Sequence, residues 1–346
     1  MAIRTAIIGL GIMGRRMLEH MLLHDGFSPT FLWDPDPESC RLAAEAAPGS
    51  EIMDSAESAI QAADLVYLAC PPVPRKAYAL AAAAAGRAVF LEKPLGVDVD
   101  ESTDLVRQLV ESDIPVAVNF TQAAGAALTQ ISVAAKAGAM GDIVGADIVV
   151  TYANWPRDWQ KAADWLRFRG EGGMTREVVS HFLFFSERVL GPLSLVWARP
   201  SYPVDDTLCE THMLARLETA DGRPVTVMAS VGGAQPDRQE LTIKGTKASR
   251  RVSDFYRDAV SDGGEFAPVE AGPGDPRAVS LKAQLDDLVL LINGQPNRLA
   301  TPEEALRVQK LVEAMPVSYT HLRAHETVVR ISYAVFCLKR GGGGGG

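Results

Sequence analysis

The sequence predicts an α/β protein whose first half is a doubly wound parallel sheet built to bind a dinucleotide. Three observations carry this. Short apolar runs alternate with helical patterns from the N-terminus onward. Gly9, Gly11 and Gly14 stand in G-x-G-x-x-G spacing between the first run and the first helical pattern. Asp34 closes the second run, about 20 residues beyond the last of those glycines.

The elements follow in order. "TAIIGLGIMGRRMLEHML" opens with a short strand, Ala6 to Ile8, and then the glycines. The first glycine permits a tight turn, the second lets backbone approach a pyrophosphate, and the third lets helix pack on strand. Ile12 and Met13 begin a helix whose free N–H groups and positive dipole end suit phosphates. Met17, Leu18, Met21 and Leu22 mark its buried face, and Gly26 its end. The other reading of the spacing is a glycine-rich turn in an unrelated α/β protein. "TFLWD" is the second strand. A carboxylate at Asp34 can accept both ribose hydroxyls of NAD and would repel the 2′-phosphate of NADP. Pro35, Asp36 and Pro37 follow, with no Arg to receive that phosphate, so NAD is expected rather than NADP. "ADLVYLACPP" is a buried strand broken at Pro71 and Pro72, "YALAAAAAG" a helix closed by Gly86, and "RAVFLEKP" a strand ending at Glu92, Lys93 and Pro94. Ligands of such sheets sit at the carboxyl ends of the strands. Asp34, Cys70, Pro71, Pro72, Glu92 and Lys93 all fall there and are candidate cofactor contacts, with Gly9, Gly11, Ile12, Met13 and Gly14.

The second half changes character. In "GRPVTVMASVG", Val225, Val227, Ala229 and Val231 alternate with Thr226, Met228 and Ser230, the pattern of a strand buried on one face. "QELTIKGTKASRRV" reads as a hairpin around Gly245. "TPEEALRVQKLVEAM" is a helix with Thr301 as N-cap, Pro302 in the first turn and Glu304 completing a capping box. Between the halves, "NWPRDWQKAADWLRFRGEGG" gathers Trp155, Trp159 and Trp165 with Arg157, Arg167 and Arg169. Aromatic faces beside guanidiniums suit a sugar ring or a carboxylate-bearing polyol, and equally suit packing beside surface charge.

Composition narrows the function classes. A length of 346 residues accommodates two cores. The net charge of −9 argues against a nucleic-acid partner, which needs a positive face. No apolar run reaches the roughly 18 residues of a membrane span. Cys40, Cys70, Cys209 and Cys337 have neither metal nor disulfide spacing, so no metal is expected, and a reducing cytoplasm is.

"GLGIMG", "AGRAVFLEKPL", "GAMGDIVGAD" and "GGMTREVVSH" come in the order seen in the Gfo/Idh/MocA oxidoreductases, and residues 3 to 315 resemble that family. The resemblance implies a Rossmann domain over residues 1–120. It implies a substrate and oligomerisation domain over 121–316, an α+β unit with a large, open, mostly antiparallel sheet that forms dimers or tetramers. It implies an NAD-dependent dehydrogenase of a sugar, cyclitol or related hydroxy compound. Relatives that retain NAD through redox-neutral turnover, or bind it as sensors, are the alternatives. By analogy Lys93 hydrogen-bonds the reacting oxygen, and His181 accepts the hydroxyl proton. Glu177 stands where the family usually has Asp. On one helix face with His181, it would orient the imidazole or bind substrate. Arg75 stands where the family often has His, and Gln122 where it often has Arg. Gln122, Trp155, Arg167 and Arg169 are the candidate substrate contacts.

The resemblance stops at Met315-Pro316. Residues 317–346 correspond to two translated sequencing adapters in order, followed by six glycines. They are expected to be a disordered read-through artefact of an environmental assembly rather than part of the natural chain. Arg323, Arg330, Lys339 and Arg340 against Glu326 leave that tail at +3, so the whole-chain charge of −9 corresponds to −12 without it. His321, His325 and Cys337 are set aside accordingly. A chain cut there would be less stable than a relative with its complete last helix.

Overall fold

The computed structural model describes residues 2–270 and 274–316, and the expected artefact at 317–346 lies outside the described residues. Two sheets organise the chain. The first has β1 (Ile3–Ile8), β2 (Phe27–Trp33), β3 (Glu51–Ile52), β4 (Leu65–Leu68), β5 (Ala88–Glu92) and β6 (Val116–Asn119). All pair in parallel in the order β3-β2-β1-β4-β5-β6. The order reverses direction at β1, which opens a crevice at the carboxyl ends of β1 and β4.

The crossovers are α1 (Ile12–Leu22), α2 (Pro37–Ala46), α3 (Ala56–Ala62), α4 (Pro72–Ala84) and α5 (Val99–Glu111). Their starts follow local chemistry. Asp36 caps α2 by accepting from the Glu38 and Ser39 amides, Ser55 and Ser58 form a reciprocal capping box on α3, and Asp98 caps α5. In α1, Met17, Leu18 and Met21 are buried as expected, but Leu22 faces outward and the helix closes there, before Gly26. The apolar stripe is therefore narrower than the composition of its last turn suggests.

After α6 (Ala126–Lys136), a second sheet holds β7 (Ile143–Tyr152), β8 (Leu193–Ser201), β9 (His212–Thr219), β10 (Pro224–Val231), β11 (Arg238–Gly245), β12 (Ser249–Ser253), β13 (Arg257–Ser261) and β14 (Ala267–Pro268). Its order is β14-β13-β12-β11-β7-β10-β9-β8, antiparallel except for the parallel β7–β10 pair. The β10 alternation is realised: Val225, Val227 and Ala229 are buried, Thr226 and Met228 exposed. The β11–β12 hairpin turns after Gly245. The inner face packs on α7 (Ser180–Leu190), whose Phe182 and Phe185 join one core with Ala215 and Val227.

The chain then returns to the first sheet. Leu281, Leu285 and Leu288 of α8 (Pro276–Ile292) share a core with Ile7, Leu10 and Met17. Ala300 bridges to Val118 of β6, and α9 follows over residues 302–316 behind the expected capping box: the Thr301 amide donates to Glu304 and the Glu304 amide to Thr301 Oγ1.

Candidate active site

The glycines divide the labour as their spacing implies. Gly9 sits at φ +93°, and a Cβ there would meet the Cys70 amide nitrogen at 2.5 Å. A Cβ on Gly14 would come within 1.9 Å of the Gly9 carbonyl oxygen, so this glycine seats helix on turn. A Cβ on Gly11 would meet nothing within 4 Å. Gly11 lines a cleft of about 670 Å³ together with Gly9, Ile12 and Met13. It also caps α1 without any side-chain partner, and the first turn carries no acidic residue. Unspent N–H groups at a helix start, facing open space, fit a pyrophosphate.

Asp34 lines the same cleft at the end of β2. Its Oδ2 accepts from the Leu10 amide at 2.7 Å and its Oδ1 from the Asp36 amide at 2.9 Å. These two bonds fix the carboxylate and leave lone pairs on both oxygens for ribose hydroxyls. Cys70 and Pro71 form part of the same wall. Buried Arg75 ties that wall to the next strand end by donating to the carbonyls of Cys70 and Pro94. Pro72 begins α4 and Gly14 lies behind the turn, so neither lines the cleft. The residues present fit a dinucleotide.

Beyond this, side chains from distant segments converge. Lys93, just past β5, donates from Nζ to the Glu177 carbonyl at 2.9 Å and to Glu177 Oε2 at 2.5 Å. Glu177 Oε1 accepts from Gln160 Nε2 at 3.0 Å, with an Arg157 guanidinium nitrogen 3.8 Å away. Arg157 Nε in turn donates to Gln160 Oε1 at 2.8 Å. The segment carrying Arg157 and Gln160 is braced by Trp155, whose indole N–H donates to the Leu166 carbonyl at 3.0 Å. Beside Lys93, Glu92 is buried and accepts from Tyr67 Oη and from Asn119 Nδ2. Burial pushes its carboxyl above the ordinary range, against those hydrogen bonds.

His181 lines the cleft between two aromatic rings, Phe120 and Phe255, whose centroids lie 5.7 and 5.5 Å away edge to face. Its Nδ1 is enclosed without a hydrogen-bond partner. Burial, and then the charges of Lys93 and Arg157, hold the imidazole well below its usual pKa, so it is neutral at physiological pH.

The expected pairing of Glu177 with His181 takes another form. Thr175–Val179 is a π-helical turn, and α7 begins only at Ser180. Its i→i+5 bonding widens the turn, so residues four apart no longer stack as on an α-helix. The Glu177 carboxylate goes to Lys93 and Gln160 instead. The substrate candidates also sit apart from the cleft lining. Buried Gln122 donates to the Phe255 carbonyl, and Trp155 braces its own segment. Arg167 pairs with Asp164 over Phe168, and Arg169 stacks on Tyr202. In a sequence cluster of Trp and Arg, only those that the loop turns inward reach the cleft, and these are Arg157, Trp159 and Trp165. Arg16, Gln160, Tyr256 and Arg277 also line it without having been foreseen. Arg16 alone carried a signal, standing one turn beyond Ile12 on α1.

Comparison with known proteins places the fold and the family. The family model described as "Oxidoreductase family, NAD-binding Rossmann fold" matches residues 3–120, and "GFO/IDH/MocA C-terminal domain" matches residues 129–251. An inositol 2-dehydrogenase of Cereibacter sphaeroides is 33% identical over 117 residues, which cover 33% of each chain. The match thus spans about a third of that relative's length. The fold is shared with an Agrobacterium radiobacter oxidoreductase solved with NAD+, L-tartaric acid and magnesium, at TM-score 0.80 and 18% identity over 92% of this chain and 97% of that one. It is shared too with the WlbA dehydrogenase of Bordetella pertussis, solved with NADH and UDP-GlcNAcA, at TM-score 0.77 and 23% identity over 93% and 97%.

Proposed function

Because this chain belongs to the Gfo/Idh/MocA oxidoreductase family, we propose that it is an NAD-dependent dehydrogenase of a sugar, cyclitol or related hydroxy compound. The observation that carries this reading is a single cleft lined by both the glycine turn with Asp34 and the pair Lys93 and His181. The relatives solved with NAD+ or NADH beside a hydroxylated acid or a nucleotide sugar support the substrate class.

Gly9, Gly11, Ile12 and Met13 hold the pyrophosphate, and Asp34 the adenosine ribose. Cys70, Pro71 and Glu92 wall the site. When bound, NAD supplies the hydride acceptor. The chain's own residues handle the oxygen and its proton. Lys93, turned on the reacting oxygen, donates from Nζ and stabilises developing alkoxide charge. Neutral His181 accepts the hydroxyl proton at Nε2, which requires the tautomer protonated at Nδ1. The Phe120 and Phe255 rings exclude water around that transfer. Glu177 is a positioning residue. It holds Lys93 and fastens the Gln160 segment over the cleft.

In this reading residues 1–120 form the dinucleotide-binding domain, from which Lys93 reaches the substrate, and 121–316 the substrate domain. The outward face of the second sheet exposes Val196, Trp197, Leu214 and Met228, which supports a homo-oligomer, a dimer or tetramer. No described helix is long and apolar enough to cross a membrane. Cys40, Cys70 and Cys209 are free thiols, which supports a reducing cytoplasm. The test is reduced-nicotinamide absorbance with NAD and NADP against sugars, inositols and sugar acids. NADH formed with one substrate group is the expected result. Product formed without net NADH would replace the reading with redox-neutral turnover, and NADH binding with no product would replace it with a sensor.

A further inference from the structure

Three guanidiniums converge on one indole at the cleft. The Cζ atoms of Arg157, Arg16 and Arg277 lie 4.7, 5.3 and 5.9 Å from the ring centroid of Trp159. They come from three separate places: the segment before Gln160, the helix α1, and the first turn of α8. All four residues line the cleft. Among the described residues, no carboxylate lies within ion-pairing distance of Arg16 or Arg277. Asp275, two residues before Arg277, spends its carboxylate on the Arg277 and Ala278 amides as the cap of α8. Arg157 faces Glu177, whose charge Lys93 already balances.

Gathering like charges in a partly buried place is unfavourable unless an opposite charge completes it. Burial, and then the charge of Arg277, hold the Arg16 guanidinium below its ordinary pKa. The arrangement is unexpected in a chain of net charge −9. Cation–π contact with Trp159 holds the guanidiniums in place without consuming their N–H donors. We propose that Arg16, Arg157 and Arg277 around Trp159 form a subsite for an anionic group of the substrate, a carboxylate or phosphate ester beside the reacting hydroxyl. This rests on the dehydrogenase reading. The cofactor's pyrophosphate already has the amides at the start of α1. Trp159 and Arg157 belong instead to the segment that delivers Gln160 to Glu177, on the Lys93 side of the cleft.

The test pairs neutral and anionic compounds: glucose and myo-inositol against glucuronate and glucose 6-phosphate, each with NAD. For the wild type, kcat/KM with an anionic compound exceeds that of its neutral partner. The double variant R16Q/R277Q lowers that ratio by about 10- to 100-fold, mainly through KM, the effect of losing charge-assisted hydrogen bonds. R277Q alone, a single change at a half-buried helix start, lowers it less and guards against loss of fold. Whether glucuronate or glucose 6-phosphate responds tells carboxylate from phosphate. Neutral compounds turned over as well as anionic ones would overturn the subsite and leave the dehydrogenase standing. Weakened NADH binding in R16Q/R277Q would overturn it as well, by assigning the guanidiniums to the cofactor. If no compound yields NADH, calorimetry on the NADH-loaded protein decides. Glucuronate or glucose 6-phosphate binding that is lost in R16Q/R277Q keeps the subsite while the dehydrogenase reading fails. No binding to the wild type sinks the subsite.

Discussion

The two ends of the cleft are built from different materials. At the glycine turn the working groups are backbone: amides at the start of α1 and a carbonyl in contact with Gly14. Its carboxylate, Asp34, is pinned by two amides. At the other end the working groups are side chains, brought from β5, the π-turn and the segment around Gln160, and held by one another. A backbone site is rigid because secondary structure makes it so, and it is encoded within a few consecutive residues. A side-chain site depends on distant packing, and small substitutions adjust it. Chemistry that a whole family shares can sit on the first kind, while substrate choice varies on the second.

Substitutions at the turn test the first half of that contrast and should have the largest effects. Gly14→Val forces a branched side chain onto the Gly9 carbonyl and should cost more than about 4 kcal/mol. The expected outcome is loss of soluble protein, read by expression and thermal melting. Gly11→Ala meets open space, so it should melt as the wild type does while binding NADH more weakly. A Gly14→Val variant of ordinary stability would break the comparison. At the other end, Lys93→Met and His181→Asn should lower kcat by about 10²- to 10⁴-fold, with NADH affinity nearly intact. Steady-state kinetics and fluorescence titration together separate the two quantities.

Asp34→Ala should reduce the preference for NAD over NADP by about 10- to 100-fold, since it removes both the ribose acceptor and the repulsive charge. Parallel kcat/KM measurements with the two cofactors decide it.

The pH dependence is smaller and its sign is fixed. The His181 imidazole is held well below 6.5 in the fold, chiefly by burial. As pH falls below about 6.5 the unfolded chain takes up a proton that the folded one refuses, so stability is lost in that window and retained above it. The melting temperature should decline below that pH, and less steeply in His181→Asn. For the same reason the acid limb of kcat/KM should lie below 6.5. The smallest effect is expected from Gln160→Ala, which loosens Glu177 without touching Lys93. A rise in KM of about 3- to 10-fold, with kcat nearly kept, would agree with a positioning role.

The contrast also explains what could be read in advance. The parallel sheet, the glycine roles, Asp34 at a strand end and the Thr301 capping box rest on neighbours in sequence, and local patterns encode them. Lys93, Glu177 and His181 were legible as site candidates through motif order, and all three line one cleft. What Glu177 touches was not legible, because a π-turn replaces the expected α-helical spacing. Arg277 and Tyr256 reach the cleft from far along the chain, with no local mark. Arg167 and Arg169 have the right composition, yet the backbone turns them onto Phe168 and Tyr202.

The return of α8 to the first sheet has a thermodynamic consequence. Leu281, Leu285 and Leu288 complete a core begun by Ile7, Leu10 and Met17, more than 250 residues earlier. Neither half can melt without exposing apolar surface of the other. Calorimetry should therefore record one cooperative transition rather than two, and a fragment ending at residue 120 should fail to fold alone. α8 stitches the second half of the chain to the first, so the two sheets and the cleft melt as one folding unit.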